Sequence, residues 1–312
     1  MNCHSSRRGS TLGLCLAGLL VAGALGAGCG AGAPPAAAPS SAGTAPPIST
    51  DEPNRESGLD ALRQRLSSGV GSELHLAAKG LGPALGSLLA DSEALGAVTS
   101  LDVSDNDLGV DGARALARSA HLSAVRELDL GGNDIGDDGA DAIAHSSGLS
   151  LLETLNVSGN SIAGRGASAL LAGPSEHLSS LDLSMNEIGR SGILALARAG
   201  FPLKSLYLLG CEIGPEGVKE LARAKHLSQL DVLALSGNNL GDEGAQALAK
   251  STTLSNLTTL DLCANGIGDA GALALASSNH FKKLKVLELF GNEIGSKGSA
   301  ALRKRFGSGL HL

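Results

Sequence analysis

The chain has 312 residues and a formal net charge of −7, from 24 lysines and arginines against 31 aspartates and glutamates. This acidic balance predicts no binding of nucleic acid, because the phosphate backbone selects basic surfaces. Aromatic residues make up only 2% of the chain and tryptophan is absent, so we expect a core of Leu, Ile, Val and Ala.

Residues 1–28 have the pattern of a signal peptide. Arg7 and Arg8 form a short basic segment, and the Gly- and Ala-rich apolar stretch 11–27 is too short and too weakly hydrophobic for a membrane span. Small residues then lead to Cys29. This arrangement resembles a bacterial lipoprotein signal, and the resemblance implies that Cys29 becomes the lipidated first residue of the mature chain. Cleavage near residue 27 without lipidation and an uncleaved anchor are the alternatives.

The composition of residues 29–56 predicts a disordered tether. They consist mostly of Ala, Pro, Ser, Gly and Thr, and they hold almost no large apolar side chain that a core would need. We expect this segment to link the N-terminal anchor to the folded domain.

Residues 57–97 predict an N-terminal cap and a degenerate repeat. Leu74 and Leu76 alternate with polar residues as in a strand, and Lys79 lies 27 residues before Asn106. Three leucines before this strand have the spacing of an amphipathic helix: Leu59, Leu62 and Leu66.

Residues 98–312 repeat one phrase eight times, L-x-x-L-x-L-x-x-N-x-I-G-x-x-G, every 25 to 27 residues. A fixed period in this range predicts a solenoid, in which each unit buries its apolar side chains only when stacked on its neighbours. After Leu302 the phrase degenerates into a sequence that predicts a polar C-terminal cap. The asparagine position of the eight copies holds Asn106, Asn133, Asn160, Asn186, Cys211, Asn238, Asn265 and Asn292.

Each unit has the pattern of a short strand, a turn and a helix. In the second copy Leu128 and Leu130 alternate with polar residues, and Ala140 and Ile143 share one helical face. We expect the asparagine to be a buried structural residue, whose amide bonds backbone groups of its own and the next turn. Ala163 replaces the first glycine of the third copy, which predicts that this position needs no positive φ.

The repeated phrase resembles the leucine-rich repeat family, in its longer ribonuclease-inhibitor-like variety. The helix phrase Gly112-Ala-Arg-Ala-Leu-Ala, which recurs from Gly244 with one change, is similar to bacterial members of that variety. The resemblance covers roughly residues 71–305. It implies an α/β solenoid shaped as a horseshoe, with parallel strands on the concave face and helices on the convex face. It implies no particular ligand, because a fold of this kind does not fix function.

Two rows of residues, between and after the strand leucines, are expected to be exposed across the concave sheet. The first row is mostly acidic or polar until Tyr207, the only tyrosine of the chain, and the second is mostly small until Leu209. Exposed apolar side chains beside charges are typical of interface hot spots, so we expect a protein or peptide ligand there. Neutral variation at Tyr207 is the alternative. The predicted partner-binding residues are Asp102, Asp129, Asp182, Tyr207, Leu209, Asp261, Glu288 and Phe290.

The sequence contains no motif of catalysis, of metal binding or of phosphate binding. Its repeated histidines lie in separate copies, so they predict no metal cluster. Acidic turns such as Asp137-Asp138 lack the ligand spacing of calcium loops and suit helix N-termini instead. We therefore predict no catalytic residue, no metal and no cofactor.

These features favour a non-enzymatic, extracytoplasmic protein-binding scaffold of a bacterial cell envelope, lipid-anchored or secreted. One alternative is a structural envelope component whose repeats space or assemble. Another is a cytoplasmic leucine-rich repeat regulator, if the signal is not used. Saturable binding of a soluble partner would favour the scaffold. Self-association would favour the structural component. A chain that keeps residues 1–28 in the cytosol would favour the regulator.

Overall fold

The computed structural model describes residues 52–173, 176–200 and 202–312, which belong to one compact unit. The predicted signal peptide, Cys29 and the tether up to residue 51 lie outside the described residues.

The described residues form one open sheet of ten parallel strands, ordered along the chain. The register is constant from strand to strand, because the central leucine of each strand pairs with the central leucine of the next. The strands are β1 (Glu73–His75), β2 (Ser100–Asp102), β3 (Glu127–Asp129), β4 (Thr154–Asn156), β5 (Ser180–Asp182), β6 (Ser205–Tyr207), β7 (Val232–Ala234), β8 (Thr259–Asp261), β9 (Val286–Glu288) and β10 (Leu310–His311).

A helix follows each of the first nine strands and returns the chain to the start of the next strand. Buried Leu, Ile, Val and Ala side chains fill the layer between sheet and helices as one continuous core, which confirms the predicted α/β solenoid. The helices are α1 (Glu52–Ser67), α2 (Ala84–Ala90), α3 (Gly109–Ala117), α4 (Gly136–Ala144), α5 (Gly164–Leu170), α6 (Gly189–Leu196), α7 (Gly214–Leu221), α8 (Gly241–Ala249), α9 (Asp269–Ser277) and α10 (Ser296–Phe306).

The two ends of the solenoid differ from the sequence prediction in detail. Helix α1 begins at Glu52, so residues 52–56 are helical and do not belong to the tether. Arg55 ties this first turn to the first repeat, because its Nε donates a 2.8 Å hydrogen bond to the Gly80 carbonyl. At the other end the polar cap includes a strand, β10, which pairs with β9. Gly309 permits this pairing, because a Cβ there would overlap the Lys285 carbonyl oxygen.

The repeated asparagine joins adjacent repeats through its buried side chain. Oδ1 of Asn133 accepts hydrogen bonds from the N–H groups of Asn106 (3.0 Å) and Leu108 (3.2 Å), both in the preceding repeat. Nδ2 donates to the Val103 carbonyl of that repeat and to the Leu130 carbonyl of its own, each at 2.9 Å. The structure corrects the expected direction, since the partner is the preceding turn and not the next. Equivalent bonds are made by Asn106, Asn160, Asn186, Asn238, Asn265 and Asn292.

Cys211 takes this position in the fifth copy and makes a weaker connection. Its Sγ donates to the Leu183 carbonyl at 3.2 Å, which replaces one of the bonds that an asparagine Nδ2 makes. A thiol has no carbonyl oxygen with which to accept two backbone N–H groups of the preceding repeat. Burial raises the pKa of the Cys211 thiol to about 12, so the side chain stays neutral.

Three aspartates accept hydrogen bonds from the N-terminal end of the helix in the following repeat. Oδ1 of Asp137, on α4, accepts from the N–H groups of Ala163 and Gly166, both at 2.8 Å, at the start of α5. Oδ1 of Asp242 accepts the equivalent two bonds from Gly268 and Gly271 at the start of α9, and Oδ1 of Asp269 accepts one from Gly298 in the first turn of α10. In the three repeats that receive such a bond, the residue at the first glycine of the repeated phrase has negative φ, which is −99° at Ala163. The other five copies have glycine with positive φ at this position. The prediction that this position needs no positive φ therefore holds only where an aspartate comes from the preceding repeat.

We predict that Cys211→Asn stabilises the fold by about 1–3 kcal/mol, because the amide restores hydrogen bonds to buried backbone groups. The measurement is the free energy of unfolding in urea. Asn238→Cys, the reverse change in the next copy, should cost a similar amount. Loss of stability in Cys211→Asn would mean that this shortest repeat has no room for the larger amide.

We also predict that Asp137→Ala destabilises the fold more than Asp242→Ala. When Asp242 is removed, Gly268 can adopt the positive φ seen in other repeats. When Asp137 is removed, the same change of φ at Ala163 would cost about 1–2 kcal/mol. Adding Ala163→Gly to Asp137→Ala should recover this difference in thermal unfolding. Equal effects of Asp137→Ala and Asp242→Ala, with no recovery by the added glycine, would disprove the link between the aspartate and the backbone conformation.

Candidate functional site

The predicted first row is a true row in the structure. Its residues are Cα partners from strand to strand, and β10 adds His311 beside Glu288. The row consists of His75, Asp102, Asp129, Asn156, Asp182, Tyr207, Ala234, Asp261, Glu288 and His311. We call the surface formed by this row and the next one the strand face.

The first-row carboxylates also hold the ends of their own strands. Oδ1 of Asp182 accepts a hydrogen bond from the N–H of Ser184 at 2.8 Å, and Asp102, Asp129 and Asp261 accept the equivalent bond. Glu288 instead pairs with His311, whose Nδ1 lies 2.6 Å from its Oε1. These acids therefore have a structural role that the sequence analysis did not identify, and they still give the strand face its negative charge.

For two of these carboxylates the charged form is destabilised in the folded chain. Burial raises the pKa of Asp182 above its ordinary value of 3.8, against the hydrogen bonds from Ser184, which lower it. Burial likewise raises the pKa of Asp129, and the charges of Asp102 and Asp182 raise it further. The strand face therefore concentrates like charges, and a basic group of a partner would relieve their repulsion.

The second row is less exposed than its sequence position predicted. Ser184, Ser236 and Cys263 are buried, because their small side chains lie low between larger neighbours. Cys211 and Cys263 are both buried and do not form a disulfide bond with each other. The row consists of Ala77, Ser104, Gly131, Ser158, Ser184, Leu209, Ser236, Cys263 and Phe290.

Three apolar side chains come together across repeats four and five. Tyr207 and Leu209 are half-buried, and Met185 is 46% exposed. Met185 lies beside Leu209, because its N–H donates to the Leu209 carbonyl at 2.6 Å and its Sδ covers the Gly210 backbone. We call these three residues the apolar group.

The sequence analysis missed Met185. Its φ of 56° lies in the left-handed region, where other copies often place glycine directly before the asparagine. A long side chain in this conformation costs about 1–3 kcal/mol. All eight copies have positive φ at this position, so the conformation belongs to the repeat and the long side chain is what distinguishes Met185. The signal in the sequence is a methionine at a position that favours glycine.

Phe290 is the other large exposed apolar residue of the described chain, with 52% of its surface exposed. Three strand spacings separate it from Leu209, which is about 14 Å at 4.8 Å per strand. Small buried residues lie between them on the strand face: Ala234, Ser236 and Cys263. The apolar group and Phe290 therefore lie at the two ends of a stretch of the strand face whose second row is small and buried.

No comparable feature lies on the helix side of the described residues. Two shallow grooves run there between neighbouring helices, with volumes of about 350 Å³ between α3 and α4 and about 450 Å³ between α6 and α7. Among the described residues, no cluster of three or more His, Cys, Asp or Glu could hold a metal ion. None of the described helices has both the length and the hydrophobicity that a membrane crossing needs.

The comparison with protein families identifies the class of this protein. The family described as Leucine Rich repeat matches eight segments, at residues 98–117, 121–144, 148–171, 175–197, 201–222, 226–249, 253–276 and 282–302. These segments cover more than half of the chain, so the chain belongs to the leucine-rich repeat family. Proteins of this family are commonly protein-binding scaffolds and typically not enzymes. A comparison with curated proteins finds no match for the chain.

We predict that Asp182→Asn stabilises the fold at about pH 7 and has little effect at about pH 3. Because its pKa is raised in the folded chain, ionisation of Asp182 costs stability, and the cost develops as pH rises from 3.8 through the folded-state pKa. The asparagine keeps the acceptor for Ser184. The measurement is thermal unfolding across this pH range.

Asp138→Asn is the control of opposite sign. Hydrogen bonds and charge from Arg165, with a smaller contribution from Arg114, lower the pKa of Asp138, so its ionisation favours the folded state. Its replacement should lower stability at neutral pH and not in acid. If both variants shifted stability in the same direction at neutral pH, the proposed cost of burying Asp182 would be wrong.

Proposed function

We propose that this protein is a non-enzymatic scaffold that binds a protein or peptide on its strand face. The observation that carries the proposal is the pair of apolar sites, the apolar group and Phe290 about 14 Å away, on an otherwise polar and acidic sheet. An apolar surface of this kind, with a charged rim, has the composition of an interface core.

The ligand that fits this surface is a segment with two apolar anchors and basic residues. One anchor would contact the apolar group and the other Phe290, about 14 Å apart at the strand spacing of a sheet. In an extended peptide, residues i and i+4 point to the same side and are separated by about 13–14 Å. Basic side chains near Asp182 and Asp261 would offset the like charges of the strand face.

The proposed location is a bacterial cell envelope, with lipid-modified Cys29 and the segment up to residue 51 as tether. The support is the signal-like sequence of residues 1–28 and the small residues before Cys29. The ribonuclease-inhibitor-like variety is proposed on the helices of seven to eleven residues in its repeats. Membrane fractionation of the wild type beside Cys29→Ala tests the anchor, which predicts that only the variant becomes soluble.

The structural component and the cytoplasmic regulator remain the alternatives. Self-association of the purified chain without a ligand would favour the structural component. An intact N-terminus in the cytosol would favour the regulator. The exposed side chain of Met185 favours the binding scaffold, because assembly through the ends of the solenoid gives no reason for a large exposed apolar residue in the fourth repeat.

We predict that a random peptide display library enriches peptides with two apolar residues at i and i+4 and a net positive charge. Tyr207→Ala with Leu209→Ser should weaken binding of an enriched peptide at least about tenfold, since hot-spot truncations cost about 2 kcal/mol or more. Titration calorimetry measures this. Leu194→Ala with Leu273→Ala, which changes two half-buried leucines on the helix side, is the matched control and should leave binding unchanged.

Met185→Gly separates binding from folding. Glycine removes the backbone strain at positive φ, so we expect unchanged or higher stability together with weaker peptide binding. If the enriched peptides bound the strand-face variants as tightly as the wild type, the proposed site would be wrong. Parallel loss of stability and binding in Met185→Gly would assign Met185 to the fold.

A further inference from the structure

The charge of this chain is divided between its two ends. Residues 279–312 hold seven lysines and arginines against two acids, whereas the remaining 278 residues hold 17 against 29. The last repeat and its cap are therefore basic on a chain that is acidic elsewhere. The net acidity of the whole chain, from which no binding of nucleic acid was predicted, does not describe this end of the molecule.

Six of the seven cations lie where the last helices end and the last strands begin. Lys282, Lys283 and Lys285 occupy the segment between α9 and β9, and residues 303–305 form the last turn of α10. The two groups are neighbours, because Gly309, which follows α10, packs on the Lys285 backbone. We call them the basic edge: Lys282, Lys283, Lys285, Arg303, Lys304 and Arg305.

The side chains of the basic edge are exposed, and none of them forms an ion pair within the described part of the chain. Elsewhere, by contrast, several cations are paired across repeats, such as Arg126 with Glu153 at 2.6 Å and Lys219 with Glu243 at 2.9 Å. Lys283 instead donates to the Asn256 side chain, and Arg305 lies over the Phe306 ring. The positive charge of the basic edge is thus available to an external anion.

The position of the basic edge at one end favours a planar partner over a long one. The acidic first repeats lie up to eight strand spacings away, about 38 Å, which is several times the screening length of about 8 Å at physiological salt. A plane that touches this end does not meet their repulsion. A nucleic acid or an acidic polypeptide lying along the solenoid would cross the acidic first row.

We propose that the basic edge docks the last repeat onto an anionic lipid surface. Clustered lysines and arginines bind anionic headgroups by charge, with contributions that add for each residue near the surface. This contact is separate from the peptide site on the strand face and from lipidation of Cys29. It would orient the solenoid with its C-terminal end at the membrane and its acidic repeats away from it.

The test is co-sedimentation of the full chain with vesicles of phosphatidylcholine alone or mixed with phosphatidylglycerol, at several salt concentrations. The variant of the basic edge is Lys282→Gln, Lys285→Gln, Arg303→Gln and Lys304→Gln. The control removes the same charge from exposed cations of earlier repeats: Arg198→Gln, Lys204→Gln, Arg223→Gln and Lys250→Gln. All three proteins keep residues 1–51, so any binding through the N-terminus is common to them. All three should have the same thermal unfolding temperature.

We expect the wild type to bind the mixed vesicles more tightly than neutral ones, with an affinity that falls as salt rises. The variant of the basic edge should lose at least about tenfold in this affinity, and the control should stay within about twofold. An equal loss in both variants would show that only net charge matters and would overturn the proposal. So would equal binding of the wild type and the basic-edge variant, or preference of the wild type for duplex DNA over the mixed vesicles.

Discussion

The fold depends on one side chain that bonds the backbone of two neighbouring turns at once. Each strand has at most three residues, so strand pairing alone leaves the turns with buried N–H and C=O groups that need partners. The asparagine, present in seven of the eight copies, accepts from the preceding repeat through Oδ1 and donates through Nδ2 both to that repeat and to its own. This requirement explains the constant register, because an amide can reach those groups only if each repeat returns to the same position in the sheet.

Once the asparagines fix the frame, the strand face is free to vary. The first repeats place small and acidic residues there, and the fifth copy departs from that pattern with Tyr207 and Leu209. The same copy carries Cys211 in the asparagine position and is the shortest repeat, 25 residues after Asn186. The weakest connection of the frame thus lies beside the apolar group, where local opening would cost least.

The sequence predicted the solenoid, the register and the two rows, because a repeated pattern reports its own spacing. It did not predict how Asp137 determines the backbone conformation at Ala163, since that contact joins residues of different repeats. It also placed Ser236 and Cys263 on the exposed surface, although their depth depends on the size of neighbouring side chains. Met185 was not predicted because the sequence alone does not show that the position before the asparagine has positive φ in every copy, where a long side chain is unusual.

Charge and apolar surface are separated along the same frame. The strand face combines acids with an apolar surface in its second half, and the basic edge lies at the C-terminal end. A solenoid can keep these properties apart, because each repeat contacts mainly its neighbours and adds its own surface. The two proposed contacts therefore do not compete for the same residues.

The strand face between Tyr207 and Phe290 is the proposed binding site of a partner. Photo-crosslinking in the native cell tests this site, with a photoreactive phenylalanine analogue at position 207, at position 290, or at position 250 on the helix side. We expect one adduct of the same mass from positions 207 and 290, and none from position 250. Adducts from position 250 alone, or none from the two strand-face positions, would contradict it.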